Sequence, residues 1–231
     1  MRILPLFFLP VIAGGTFFTS NLPEATQRPW PGPEYFANRI LDWQVRDGRL
    51  ECLTGNKSKP LRTIHRLTHF ASAKSGTLEM EVITGLISPS KNSKPIANTW
   101  TGFLIGVGGA HVDFRISALC HHWPAQDGGL IVAVDGTGQV VIRSNSSESK
   151  VTQLGNPEKA WPRLPGKGKK GSAFEEALPT KVHLHVKAFP NKNAKTYKLI
   201  ATARNIDGAL IHQFTAPEID ATLVDGNLAL V

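Results

Sequence analysis

No apolar stretch in this chain approaches the roughly 20 residues that a membrane-spanning helix needs, so the sequence offers no candidate for a helical span. Cysteine is scarce as well. Cys52 and Cys120 stand far apart, too few for a disulfide-stapled scaffold or a structural zinc site. They can pair in an oxidising compartment, but a chain of 231 residues buries enough surface to fold without staples. Several catalytic signatures are missing: the G-x-S-x-G elbow, H-E-x-x-H, the P-loop, and a G-x-G-x-x-G followed by a helix. Accordingly no catalytic residue, metal ligand or cofactor is assigned. No period of 20–50 residues repeats, which disfavours a propeller or solenoid. The best amphipathic helix candidate, residues 112–121, is short.

Alternation is what the sequence has in abundance. Through most of residues 42–231, apolar and polar residues exchange places every second position, the period of a half-buried strand. Trp43 and Val45, the turn dipeptide Asp47-Gly48, then Leu50 and Cys52 describe a hairpin. Leu78, Met80 and Val82 share one strand face, with Thr77, Glu79 and Glu81 on the other. Residues 100–109 (WTGFLIGVGG) are instead continuously apolar with glycines, as in a strand buried on both sides or closely approached by another backbone. Residues 129–143 read as two apolar strands around Asp135-Gly136-Thr137-Gly138, and residues 88–98 as a polar loop. Further strands fall at 61–70, 181–189, 195–205, 209–214 and 226–231. The expected fold is all-β, a two-sheet antiparallel sandwich.

The first residues place Arg2 ahead of an apolar run from Ile3 to Ala13, then Gly15, the layout of a signal peptide. Pro5 and Pro10 suit neither a central strand nor a long helix. The organisation expected is a signal peptide over 1–20, a Pro-rich linker over 21–41 and a sandwich over 42–231, exported to the periplasm or outside the cell.

The formal charge is +8, and it is local: ten lysines and Arg163 against Glu158, Glu175 and Glu176 between positions 150 and 198 carry the whole excess. Residues 144–179, basic and rich in Pro and Gly, read as an irregular insertion on one rim and as the most mobile internal part. At its centre PGKGKKGS reads as a solvated loop that can attract an anionic polysaccharide. Interleaved aromatics are nearly absent there, which counts against nucleic acid as a partner.

His183 and His185, candidate ligand-binding residues, share a strand face, opposite Val182, Leu184 and Val186. Lys181 and Lys187 lie on that same face, so it reads as a wet, positive surface that repels cations. A rim bearing Arg115, His122 and Trp123 has the polar groups and the apolar ring that hold a sugar. Trp43 and Trp100 read as core. Glu79 and Glu81, two apart on one strand, resemble the carboxylate pair of a sandwich-fold glycosidase, which keeps a secreted glycoside hydrolase or polysaccharide lyase as the alternative to a carbohydrate-binding domain.

Six short patterns carry a family resemblance: Trp43-x-Val45-x-Asp47-Gly48-x-Leu50-x-Cys52, residues 76–80, Trp100-x-Gly102-Phe103-x-Ile105-Gly106, Asp113-Phe114-Arg115, Gly129-Leu130 with Asp135-Gly136, and residues 226–231. Together they resemble the N-terminal region of bacterial PhoD-like (alkaline phosphatase D) metallophosphatases, which is similar to the concanavalin A-like, laminin-G type of jelly-roll sandwich. The resemblance implies a non-catalytic accessory domain that binds carbohydrate or packs on a downstream phosphatase domain absent from this sequence. It carries over no catalytic residue. In such sandwiches the strand matching 226–231 is commonly followed by another, so an unpaired edge is expected after Val231.

Mass spectrometry of the secreted protein should find the leader removed between Gly15 and Ser20; material retaining Met1 would contradict export.

Overall fold

A computed structural model of the chain describes residues 18–20, 22–37, 39–54, 61–87, 99–111, 127–146 and 157–231. The leader run 3–15, the loop 88–98, the helical candidate 112–121 and Cys120 lie outside these residues.

Asp47 and Gly48 both take positive φ, 49° and 69°, the geometry that lets a two-residue turn match the twist of the strands it joins. They connect β2 (Trp43–Arg46) to β3 (Arg49–Cys52), with Trp43 opposite Cys52. Cys52 is a free thiol, its Sγ 3.6 Å from the Thr54 carbonyl oxygen.

The remaining strands form two antiparallel sheets. One runs in the order β1 (Tyr35–Phe36), β4 (Ile64–Ala71), β13 (Gly226–Leu230), β6 (Trp100–Val107), β7 (Leu130–Asp135) and β8 (Val140–Ser144). The other runs β5 (Leu78–Thr84), β10 (Val182–Pro190), β11 (Thr196–Arg204), β12 (Leu210–Asp220) and β9 (Lys167–Lys170). Their facing sides make one core: Phe103, Ile105, Leu130, Val132 and Ile142 meet Val182, Leu184, Val186, Leu199 and Ala201. This is the all-β sandwich that the alternation predicts.

The sheets differ in what covers their outer faces, and the sequence patterns follow from it. The five-stranded sheet leaves its outer face in water, hence the strict alternation of VHLHV and LEMEV. The six-stranded sheet is buried on both faces over β13, β6, β7 and β8: Leu104, Ile131, Ala133, Val141 and Ala229 pack outward under Leu61, Ala160 and Trp161. Its central strands are therefore continuously apolar. At Gly102 a β-carbon would overlap the Val132 carbonyl oxygen, so the close backbone approach expected there is present.

Three expectations are corrected. The segment 144–179 is not irregular throughout. A helical turn (Pro157–Ala160) carries the buried Trp161, whose Nε1 donates to Asn145 Oδ1 at 2.8 Å. Arg143, fully buried, donates from Nη1 to the Trp161 carbonyl and from Nη2 to Glu158, each at 2.6 Å. The Leu164 N–H donates to the Ile142 carbonyl and the Ser144 N–H to the Pro162 carbonyl, covering the β8 edge. PGKGKKGS contains β9, an edge strand rather than a loop. Second, part of the expected linker belongs to the sandwich: Tyr35 and Phe36 pair with β4, and Arg28 bridges to Val45. Third, β13 is interior. It pairs with β4 and β6, and Val231 exchanges hydrogen bonds with Gly102, so the strand ending the sequence has a neighbour on each side. Asn227 fixes it further, with Oδ1 2.8 Å from His65 Nδ1 and Nδ2 donating to the Arg66 carbonyl at 2.6 Å.

His212 ties the sheets together. It faces inward from β12, and its Nδ1 accepts the Val140 N–H at 3.1 Å. An accepting Nδ1 carries no proton, so the ring is neutral. Burial pushes its pKa below the ordinary value, Asp135 opposing and Lys170 assisting.

Replacing Trp161 with alanine should cost about 3–5 kcal/mol of unfolding free energy, the range for losing a large buried aromatic, measured by urea denaturation. The depressed His212 pKa means that the unfolded chain takes up the proton first. Stability should therefore be full above about 6.5, the ordinary histidine value, and decline as pH falls below it. Urea midpoints across pH 5–8 should show this decline in the wild type and a flatter profile in His212→Asn.

Candidate functional site

The outer face of the five-stranded sheet is set by register. His183 lies opposite Ile83 on β5 and Arg204 on β11; His185 lies opposite Glu81 and Thr202; Lys187 lies opposite Glu79 and Ile200. Directly opposed residues share a face. The Glu-x-Glu and His-x-His pairs, separate in sequence, thus meet on one surface.

They form an acid–base ladder. His183 Nδ1 is 3.1 Å from Glu81 Oε1, His185 Nε2 is 2.8 Å from Glu79 Oε1, and Lys187 Nζ is 3.1 Å from Glu79 Oε2. The hydrogen bond from His185, then that from Lys187, hold the Glu79 carboxyl below its ordinary pKa. The expectation of a uniformly positive face is corrected here: β5 supplies the carboxylates that neutralise it.

At one end of the ladder a shallow, open groove of about 270 Å³ is lined by Glu81, His183, His185, Arg204, Asn205, Ile206 and Gly208. The β11–β12 turn builds its far wall. Asn205 Oδ1 accepts the Ala209 N–H at 2.8 Å, and Gly208, at φ +85°, donates its N–H to the Asn205 carbonyl. Arg204 Nη1 donates to the Gly208 carbonyl at 2.8 Å, which fixes the guanidinium. Its other N–H groups have no partner among the described residues. Ile83 and Ile206 stand 56% and 57% exposed at this end of the sheet, apolar surface beside polar groups.

Of the residues singled out in the sequence, His183, His185, Glu79 and Glu81 come together. Arg115, His122 and Trp123, the rim expected to hold a sugar, lie outside the described residues. Trp43 is buried, and Trp100 packs edge-on against Trp161 with ring centres 5.7 Å apart. Arg204, Asn205 and Ile206 are absent from the candidates that the sequence offers. The signal for them is the strand ending at Arg204, whose outward positions continue the face of His183 once the two strands are paired. The string Gly166–Gly171 fits G-x-G-x-x-G by spacing alone; Lys167–Lys170 within it form strand β9 and lead into no helix, so the strand–turn–helix setting of a dinucleotide-binding loop is not met.

Among the described residues, no three or more His, Cys, Asp or Glu side chains converge as a metal site, and no helix is long and apolar enough to cross a membrane. No family model, curated protein or solved structure matches the chain.

Proposed function

We propose that this chain is a non-catalytic, lectin-like domain of an exported protein, and that it binds carbohydrate in the groove lined by Glu81, His183, Arg204 and Ile206. One observation carries the reading: a tethered guanidinium, a carboxylate, two imidazoles and the exposed Ile206 line one groove, with Ile83 exposed beside His183. A pyranose presents hydroxyls at its rim and C–H groups on its faces, so it is recognised by such a mixture of charged donors, acceptors and apolar contact.

The same ladder argues against the glycosidase alternative. A general acid in glycoside hydrolysis needs a carboxyl whose pKa is raised by burial. Glu79 is open to water and its pKa is lowered by His185 and Lys187, so it stays ionised. Glu81 is engaged by His183 on the same open surface.

A glycan array probed with the purified chain should give a restricted set of positive sugars, and Arg204→Ala or His185→Ala should lose them while melting near the wild-type temperature. Turnover of glycoside or phosphate-ester substrates above blank, abolished by Glu79→Gln, would defeat the binding reading.

A further inference from the structure

The rows that cross the groove continue to the basic edge of the sheet. His185 lies opposite Thr202, Thr202 opposite Gln213, and Gln213 opposite Lys169 on β9. The next row runs Lys187, Ile200, Thr215, Lys167. Opposed residues share a face, so Lys167 and Lys169 stand on the groove's own surface, three strands or roughly 14 Å across from His185 and Lys187. Between them the floor is mixed: Gln213 Nε2 donates to Thr202 Oγ1 at 3.0 Å in one row, and Ile200 stands beside Thr215 in the next.

The lysines on this face are not equivalent. Lys187 is spent on Glu79. Lys170 turns to the opposite face, where Glu176 lies 3.7 Å away and the Phe174 ring 4.1 Å away. Lys167 and Lys169, both exposed, have no ion-pair partner among the described residues. The two carboxylates of the ladder thus stand on the β5 side, while Lys167 and Lys169 on β9, like Lys181 just before β10, have no carboxylate within ion-pair distance among the described residues.

We infer that the carbohydrate is an acidic polysaccharide, seated in the groove by one sugar unit and crossing the sheet so that its acidic groups meet Lys167 and Lys169. This rests on the groove being a sugar site. Ammonium groups on flexible stems suit repeated carboxylates or sulfates on a polymer, and among the described residues no aromatic side chain for stacking bases stands in the two rows between the groove and these lysines. Lysines on an edge strand also discourage edge-to-edge pairing, and the test separates the two roles.

Calorimetric titration of the full chain with alginate, heparin, dextran and poly-dT, at two salt concentrations, reads the proposal, alongside the same neutral glycans on an array. The wild type should bind the acidic polysaccharides, more weakly at high salt. Lys167→Glu with Lys169→Glu should cost about tenfold or more in that affinity while leaving neutral glycans in the groove unaffected. Undiminished binding of alginate and heparin by the double variant would overturn the inference and leave the groove reading standing. A fall in monomer fraction without loss of binding would make the lysines edge guards and overturn it too. So would poly-dT binding as tightly as heparin with the same salt dependence. If no glycan, neutral or acidic, bound the wild type, the groove reading would fall with it.

Discussion

Val182, Leu184, Val186 and Ala188 are fully buried against the opposite sheet, and the whole candidate face follows from that one requirement. A strand has a period of two, so burying those four turns His183, His185 and Lys187 outward. A slip of one residue would drive two imidazoles and an ammonium group into the apolar core. The register is therefore set by the core and not by the ladder above it, since exposed ion pairs contribute little in water. The same inward phase in β5, with Leu78, Met80 and Val82 packed on that core, delivers Glu79 and Glu81 to the positions opposite. The acid–base ladder is a consequence of two hydrophobic strands pairing.

The six-stranded sheet plays the complementary part. Its central strands have cores on both faces, and the buried polar groups beside them are tied to structure: Arg143 between the Trp161 carbonyl and Glu158, Asn145 to the Trp161 indole. A buried guanidinium stripped of those partners would be costly, which is why the segment after β8 must dock where it does. That docking makes one sheet a supporting layer and leaves the other free to present a surface.

Much of this is legible in the sequence, for reasons that can be named. The outer-face alternation of VHLHV, the Asp47-Gly48 turn and the apolar 100–107 run are local patterns, and each fixes a strand or turn without knowledge of its neighbours. What a single sequence does not contain is which strands lie side by side. Hence Glu79 and His185 read as separate surfaces, and β13 as an edge, although it sits between β4 and β6. Composition misleads in the basic segment. Lys167 to Lys170 carry almost no apolar area, and their strand exists because the β12 backbone offers hydrogen-bonding partners and Gly168 lets β9 lie against the His212 ring. Five of the six patterns behind the resemblance to phosphatase-linked sandwiches fall on these strands and turns; the sixth, Asp113-Phe114-Arg115, lies outside the described residues.

An open face of this kind constrains what can bind it. Each contact it offers is exposed to water, where an ion pair or hydrogen bond contributes about 1 kcal/mol or less. The groove is shallow, so a single sugar unit leaves much of its own surface in solvent. A ligand that engages the groove once gains little, while one that repeats the same acidic group along a chain converts each further contact into an intramolecular event at high effective concentration. The rows from His185 to Lys169 and from Lys187 to Lys167 supply such further contacts in line with the groove. The partner proposed above, long, repetitive and anionic, would turn weak individual contacts and the unpaired Lys167 and Lys169 to use.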